Sequence, residues 1–362
     1  MGSACSRAQL GMTLTELMVA VAVSLLATIA IFQTFAVAEG HRRTATSGGD
    51  AAFGGMIGMH VMQRDLRAAG YGLNSVQYFG CRVIAHDAGG AAPRDFDFTL
   101  APVLITQGAG NAADAVTIVY SSTDRLPAPI RLGQTMANAD ESFKVINPYG
   151  IFAGDLVIAA QVGLDCSLAE TTLTPSLAPV GQRDLVPHLV GSYTRPDGHV
   201  TLARYNKVGG LGVLYTLDGV LLNVGPTPVV NRYSIGAAGL VVDQPLVDAV
   251  GVAVAANAVQ LQAQYGRDTT PVPDAVVDVW DEATPANADE WSRVLAVRLG
   301  IAVRSPLPER PDPVTGNCNT TTQAPTWTGG TLDVTTAADW RCYRYRVFEG
   351  TSSLRNLIWR PE

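Results

Sequence analysis

Residues Leu17 to Ala38 form a run of 22 in which only Ser24, Thr28, Gln33 and Thr34 carry polar side chains. As a helix, a run of that length spans the hydrocarbon core of a bilayer. A secretory signal peptide would have a shorter apolar core, with a basic region before it and a small-residue cleavage site after it. Here the small residue, Gly11, comes before the run, so cleavage after Gly11 leaves the helix on the mature protein, which then starts at Met12. Glu16, the fifth residue past Gly11, places a single carboxylate at the edge of the apolar helix. Such a group is costly in hydrocarbon and marks function by default. It either reaches the head groups or meets a buried charge partner. The obvious partner is the new α-amino group of a neighbouring subunit, a pair that would set the register between packed helices.

Charge at the two ends of the span does not settle its orientation. Only Arg7 lies upstream, whereas Arg42 and Arg43 follow, and a simple count would keep the large domain in the cytoplasm. The cysteines point the other way. Cys5 belongs to the leader, which leaves Cys81, Cys166, Cys318 and Cys342, an even number that suits disulfides in an exported domain. Four cysteines allow three connectivities, and the shorter loops favour Cys81 with Cys166 and Cys318 with Cys342. Their spacing does not fit a zinc site. The formal charge is −7, and loss of the leader with Arg7 makes it −8. A weakly acidic protein without a basic stripe does not suit nucleic acid.

Beyond the membrane segment, Phe53, Ile57 and Val61 recur every four residues with Met56 and Met59 beside them, the pattern of a helix burying one stripe. Gly48, Gly49, Gly54, Gly55 and Gly58 each cost about 1 kcal/mol in a helix relative to Ala. The expectation is therefore one helix over residues 12–70, membrane-spanning over 12–39, and weakened or kinked near Gly48–Gly58. It would be about 85 Å long if continuous. Gly70 and Gly72 act as stop signals. Only 16% of residues are charged, while Gly (36) and Pro (21) are abundant, so residues 71–362 read as a β-rich domain. Strands are expected at Ala115–Tyr120, Asp155–Gln161, His199–Tyr205, Gly212–Leu217 and Arg232–Val242, with more at Ala258–Asp268 and Val294–Ser305. The predicted class is α+β: a long N-terminal helix packed on a large antiparallel β-rich domain.

Three groups of residues carry a family resemblance. Gly11-Met12-Thr13-Leu14-Thr15-Glu16-Leu17 resembles the class III leader of type IV prepilins, with Met12 where Phe is usual. Arg64-Asp65-Leu66-Arg67-Ala68-Ala69-Gly70-Tyr71-Gly72 is similar to a segment of PilW-type minor pilins. So is the order of Gln264-Tyr265-Gly266-Arg267-Asp268, then Val297-Arg298 through Val303-Arg304-Ser305, then Arg346-Val347-Phe348 and Leu354-Arg355-Asn356. Roughly residues 73–255 show no such likeness. The resemblance implies cleavage of residues 1–11 by a prepilin peptidase and N-methylation of Met12. It also implies residence in the bacterial inner membrane with the large domain periplasmic, followed by assembly into a pilus. Partners would be the other minor pilins, the major pilin, the inner-membrane assembly platform and a large tip adhesin, and the role would be to prime or cap assembly at the pilus tip. A type II secretion pseudopilin shares the leader, and a helix-anchored extracellular binding module is the alternative from another class.

No enzymatic or cofactor chemistry is expected. The five histidines (41, 60, 86, 188 and 199) are scattered, and no nucleophile elbow, zinc or P-loop pattern occurs. Asp268, Asp274, Asp278 and Asp281 share one loop and could supply oxygens to calcium. Thr269-Thr270-Pro271-Val272-Pro273 breaks the usual compact loop, and solvated acids are the expected reading. Trp327, Trp340 and Trp359 are read as core or half-buried aromatics rather than a partner surface.

Overall fold

The computed structural model describes residues 12–90, 92–125, 128–312 and 314–358. The protein divides into two units, Met1–Asp50 and Ala51–Glu362. A single α-helix covers Leu14–Ala68. Thr13 and Glu16 set its start by a reciprocal cap. The Thr13 amide and hydroxyl both donate to Glu16 Oε2 at 3.0 Å, and the Glu16 amide donates to Thr13 Oγ1 at 3.3 Å. Two amides that no turn of helix could satisfy are thus paired. Gly70 and Gly72, both at φ +75°, end it. The helix runs continuously through Gly48–Gly58. Gly48 and Gly49 have open space around them, but the other three glycines serve close packing. A Cβ at Gly54 would lie 3.4 Å from the Ala256 carbonyl, one at Gly58 would press on Ala255 and Leu240, and one at Gly55 would enter the Phe348 ring. Low helix propensity is accepted in exchange for a helix that sits directly on the sheets.

Residues 51–69 bury Met59, Met62, Leu66 and Ala69 as one stripe. This stripe joins a core shared with three sheets. The first sheet has the order Arg94–Thr99, Arg82–Asp87, Cys166–Glu170, Leu156–Ala160, Val220–Gly225, Ile130–Arg131. Its Arg82–Asp87 and Cys166–Glu170 strands are parallel, and its other neighbours are antiparallel. Leu156–Ala160 is buried at every position. Leu156, Ile158 and Ala160 join the main core, while Val157 and Ala159 meet a second core built around Phe143, Tyr215 and Leu221. Burial on both faces explains its continuous apolar run.

The second sheet runs Ala249–Ala256, Gly239–Gln244, Val229–Gly236, Ala115–Tyr120, Val103–Thr106. The expected single strand over Arg232–Val242 is two, because Gly236 pairs with Gly239 around a two-residue turn. Gly239 adopts φ +114° there, and a Cβ would collide with the Ala255 carbonyl. Only Val200–Leu202 of the expected His199–Tyr205 strand forms, and residues 212–217 form none. Pairing partners decide such short segments, and periodicity alone does not supply them. The third sheet is Val279–Asp281, Ala258–Arg267, Val294–Arg304, Tyr345–Ser353, all antiparallel. The final strand therefore begins at Tyr345, and the residues before it, Trp340–Cys342, form a turn of 3₁₀ helix. The fold is the expected α+β class. Its disulfides join Cys81 to Cys166 and Cys318 to Cys342, the pairing with the shorter loops.

Candidate functional site

The leader, including Gly11 and Cys5, lies outside the described residues, as does Trp359. Met12 and Glu16 are exposed, and Leu14–Ala36 is 23 residues of mean hydropathy 2.2 with none of its length buried. Its hydroxyls are satisfied within the helix. Ser24 donates to the Val21 carbonyl at 2.9 Å, Thr28 to Ser24 at 2.7 Å and Thr34 to Ile31 at 2.8 Å. The segment therefore offers lipid or a neighbouring helix an apolar surface on which Glu16 is the single charge. Both bonds that Thr13 donates to the Glu16 side chain fall on Oε2.

At its other end the helix makes the polar contacts that hold it to the sheets. The Arg64–Gly72 segment reads in sequence as a cap with solvated charges, and Arg64 and Arg67 are indeed exposed. Asp65 is not: it is 1% exposed. Its Oδ2 accepts from Asn231 Nδ2 and from the Tyr233 hydroxyl, each at 2.6 Å, and Oδ1 accepts from Arg64 Nη2 at 3.1 Å. The Tyr120 hydroxyl approaches Oδ1 at 3.4 Å. Burial first, and the Asp65 charge second, push the Tyr120 phenol up to about 12. The same causes in another order, burial and then the hydrogen bond to Asp65, push Tyr233 up. Both phenols are thus kept as donors. The signal available in sequence was positional. Residue 65 falls on the stripe with Met62, Leu66 and Ala69, and Asn231 and Tyr233 stand two apart, on one face of a strand.

The last carbonyls of the helix are closed from the far end of the sequence. Asn356 Nδ2 donates to Ala68 O at 3.2 Å and to Ala69 O at 3.0 Å. Leu354 and Leu357 on either side are buried in the main core. The two motifs that lie nearly 290 residues apart in sequence, at Arg64–Gly72 and Leu354–Asn356, therefore form one structure.

The four loop aspartates do not gather. Asp268 accepts from the Thr270 amide and hydroxyl and from the Asp274 and Ala275 amides. These donors, Thr270 foremost, hold its carboxyl below the usual range. Asp278 accepts from Thr269, Asp274 from Val276, and Asp281 from Ala283 and Arg267. Among the described residues no three His, Cys, Asp or Glu side chains are grouped to hold a metal. Asp268 is also 1% exposed, which differs from the solvated acid expected, because neighbouring amides replace its water. Trp327 is buried over Gly300, and Trp340 packs beside the same small cluster.

No curated protein and no solved structure matches the sequence. A family model does: PilW, described as Type IV Pilus-assembly protein W, over residues 223–356. Those residues carry the third sheet, Asn231 and Tyr233 that hold Asp65, and Asn356 that caps the helix. Over those residues the protein is similar to PilW, a likeness that supports a PilW-type pilin with a part in type IV pilus assembly.

Proposed function

We propose that this protein is a minor pilin that primes or caps type IV pilus assembly in a tip complex with other minor pilins. The observation that carries the reading is the PilW match in one polypeptide with a membrane-length apolar helix that bears one charged residue. In this reading a prepilin peptidase cleaves after Gly11 and the new first residue, Met12, is N-methylated. The helix is held in the inner membrane with the disulfide-bonded domain in the periplasm, an oxidising compartment that suits both bridges. On extraction by the assembly platform the helix packs among those of the major and minor pilins, and a large adhesin joins at the tip. Catalysis belongs to the peptidase.

Glu16 has two roles in succession. In the isolated subunit it caps the helix through Thr13. In the fibre its carboxylate turns to the α-amino group of Met12 on a neighbour, where a charge in apolar surroundings gains far more from a partner than it does in water. Mass spectrometry of the mature N-terminus tests the processing, with methylated Met12 the expected result, and a protein still starting at Met1 would overturn it. Deletion should abolish surface pili and twitching while leaving protein secretion intact. The opposite outcome assigns the protein to a type II secretion system. Glu16→Ala should block incorporation into pili, and normal incorporation would remove the role given to the carboxylate.

A further inference from the structure

The third sheet has two faces. Val297, Leu299, Ile301 and Val303 of its Val294–Arg304 strand point into the main core. Arg298 points away from it. Its guanidinium lies between two indoles, 4.7 Å from the ring centre of Trp280 and 5.6 Å from that of Trp327. Both rings are seated on glycine backbone. Trp280 covers Gly266, and Trp327 covers Gly300 and Gly329, so neither ring can move back from the arginine. Arg298 Nε donates to Gln264 Oε1 at 2.7 Å, which fixes the plane of the guanidinium. Gln264 is itself held, its Nε2 donating to Glu282 Oε1 and to the Gly329 carbonyl, each at 3.2 Å.

Arg298 lines a cleft of about 260 Å³ with Thr328, Glu349, Gly350 and Thr351, and its Nη1 and Nη2 remain once Nε is engaged. Among the described residues no acceptor bonds to either nitrogen, and no carboxylate pairs with Arg298. Glu349, an acid that lines the same cleft, directs Oε2 to the Thr328 amide at 2.7 Å and to its hydroxyl at 2.8 Å instead. Partial burial disfavours the cation here, and Glu349 offsets only part of that cost.

We propose that Arg298, held between Trp280 and Trp327, is a receptor for a carboxylate presented by a partner protein, either an Asp or Glu side group or the terminal carboxylate of a polypeptide. The parallel N–H bonds of Nη1 and Nη2 match a planar carboxylate. The flanking indoles exclude water and so strengthen the pair. A dianionic phosphate would meet twice the repulsion from Glu349 that a carboxylate meets. The cleft is too small for a drug-sized ligand and offers one cation, with the Thr328 hydroxyl and the Gln264 amide already engaged. It therefore serves as one anchor within a larger protein interface, a setting in which Trp and Arg carry most of the binding energy. The inference does not depend on the assembly role proposed above.

The test uses the full-length protein in nanodiscs and calorimetric titration with short blocked peptides. Acetyl-Gly-Glu-Gly-amide should bind in the millimolar range and about tenfold more tightly than the Gln peptide. If acetyl-Gly-Gly-Gly with a free carboxylate binds instead, the source is a polypeptide terminus. Equal affinity for the Glu, Gln and fully blocked peptides, or tighter binding of inorganic phosphate than of either carboxylate, would overturn the assignment. Arg298→Gln should erase the preference. Because that substitution also removes packing between the indoles, Glu349→Gln provides a second arm. It leaves Arg298 in place and should tighten carboxylate binding about threefold at low salt, whereas unchanged or weaker binding would overturn the proposal.

Discussion

Substituting Gly55 by Ala isolates the reason for a glycine-rich helix. By propensity alone the change should stabilise the protein by about 1 kcal/mol, because Gly is the costlier residue in a helix and gains more freedom on unfolding. Contact with Phe348 opposes it. The new methyl would occupy the space of ring carbons Cδ2, Cε2 and Cζ, so the ring must leave its place on the helix. Overpacking of that kind costs about 1–3 kcal/mol, and the net expectation is a destabilisation of about 1–2 kcal/mol. Phe348 is half-buried and can rotate outward, which keeps the effect below the upper bound. The control is the same substitution with Phe348→Leu, where the obstruction is smaller and Gly55→Ala should become neutral or stabilising by up to about 1 kcal/mol. Gly48→Ala, with open space around its Cα, should show no penalty. Denaturant unfolding of the full-length protein in detergent, followed by tryptophan fluorescence, reads all of these. The sign decides the matter. If Gly55→Ala stabilises the protein with Phe348 intact, the helix is not held against the final strand at this position, and the packing account of its glycines fails.

Asp65→Ala should cost about 3–5 kcal/mol, since it strands the Tyr233 hydroxyl and the Asn231 amide in the core. Tyr233→Phe should cost about 1 kcal/mol, and a thermal-melt series in which the two variants are equal would refute the ranking. Asp87 is fully buried and accepts from Arg204 Nε at 2.6 Å and Nη2 at 2.8 Å. The Arg204 bond, against the cost of burial, holds its carboxyl below the ordinary range. The folded value is the lower one, so the stability from this pair is complete above about pH 4 and falls away as the pH drops through the folded value. Asp87→Asn should destabilise the protein by about 3 kcal/mol at pH 7 and flatten that acid limb, and an unchanged acid limb would count against the pairing. Serine at Cys81 and Cys166 opens a loop of 85 residues and should cost about 4.5 kcal/mol in the chain-entropy model, against about 3.5 kcal/mol for Cys318 and Cys342 with a separation of 24. Chemical denaturation of the two double variants checks the order.

The membrane-length helix was legible from sequence alone because its signal is local: 22 successive residues with four polar side chains leave one physical solution. The stop at Gly70 and the strands at Ala115–Tyr120 and Val294–Arg304 are equally local, whereas the cap formed by Thr13 and Glu16 was not read from the sequence. What tertiary structure alone decided concerns residues that act through distant partners. Gly55 and Gly58 look like weaknesses in a helix until Phe348, Leu240 and Ala255 are placed against them. Asp65 looks like a solvated cap residue until Asn231 and Tyr233, about 170 positions onward, bring donors to it. Arg298 reads as one polar residue in an alternating strand until Trp280 and Trp327 close over it from two other segments. Local propensity records what a residue costs its own element. The compensating contact lies across the fold, and only the packed molecule contains it.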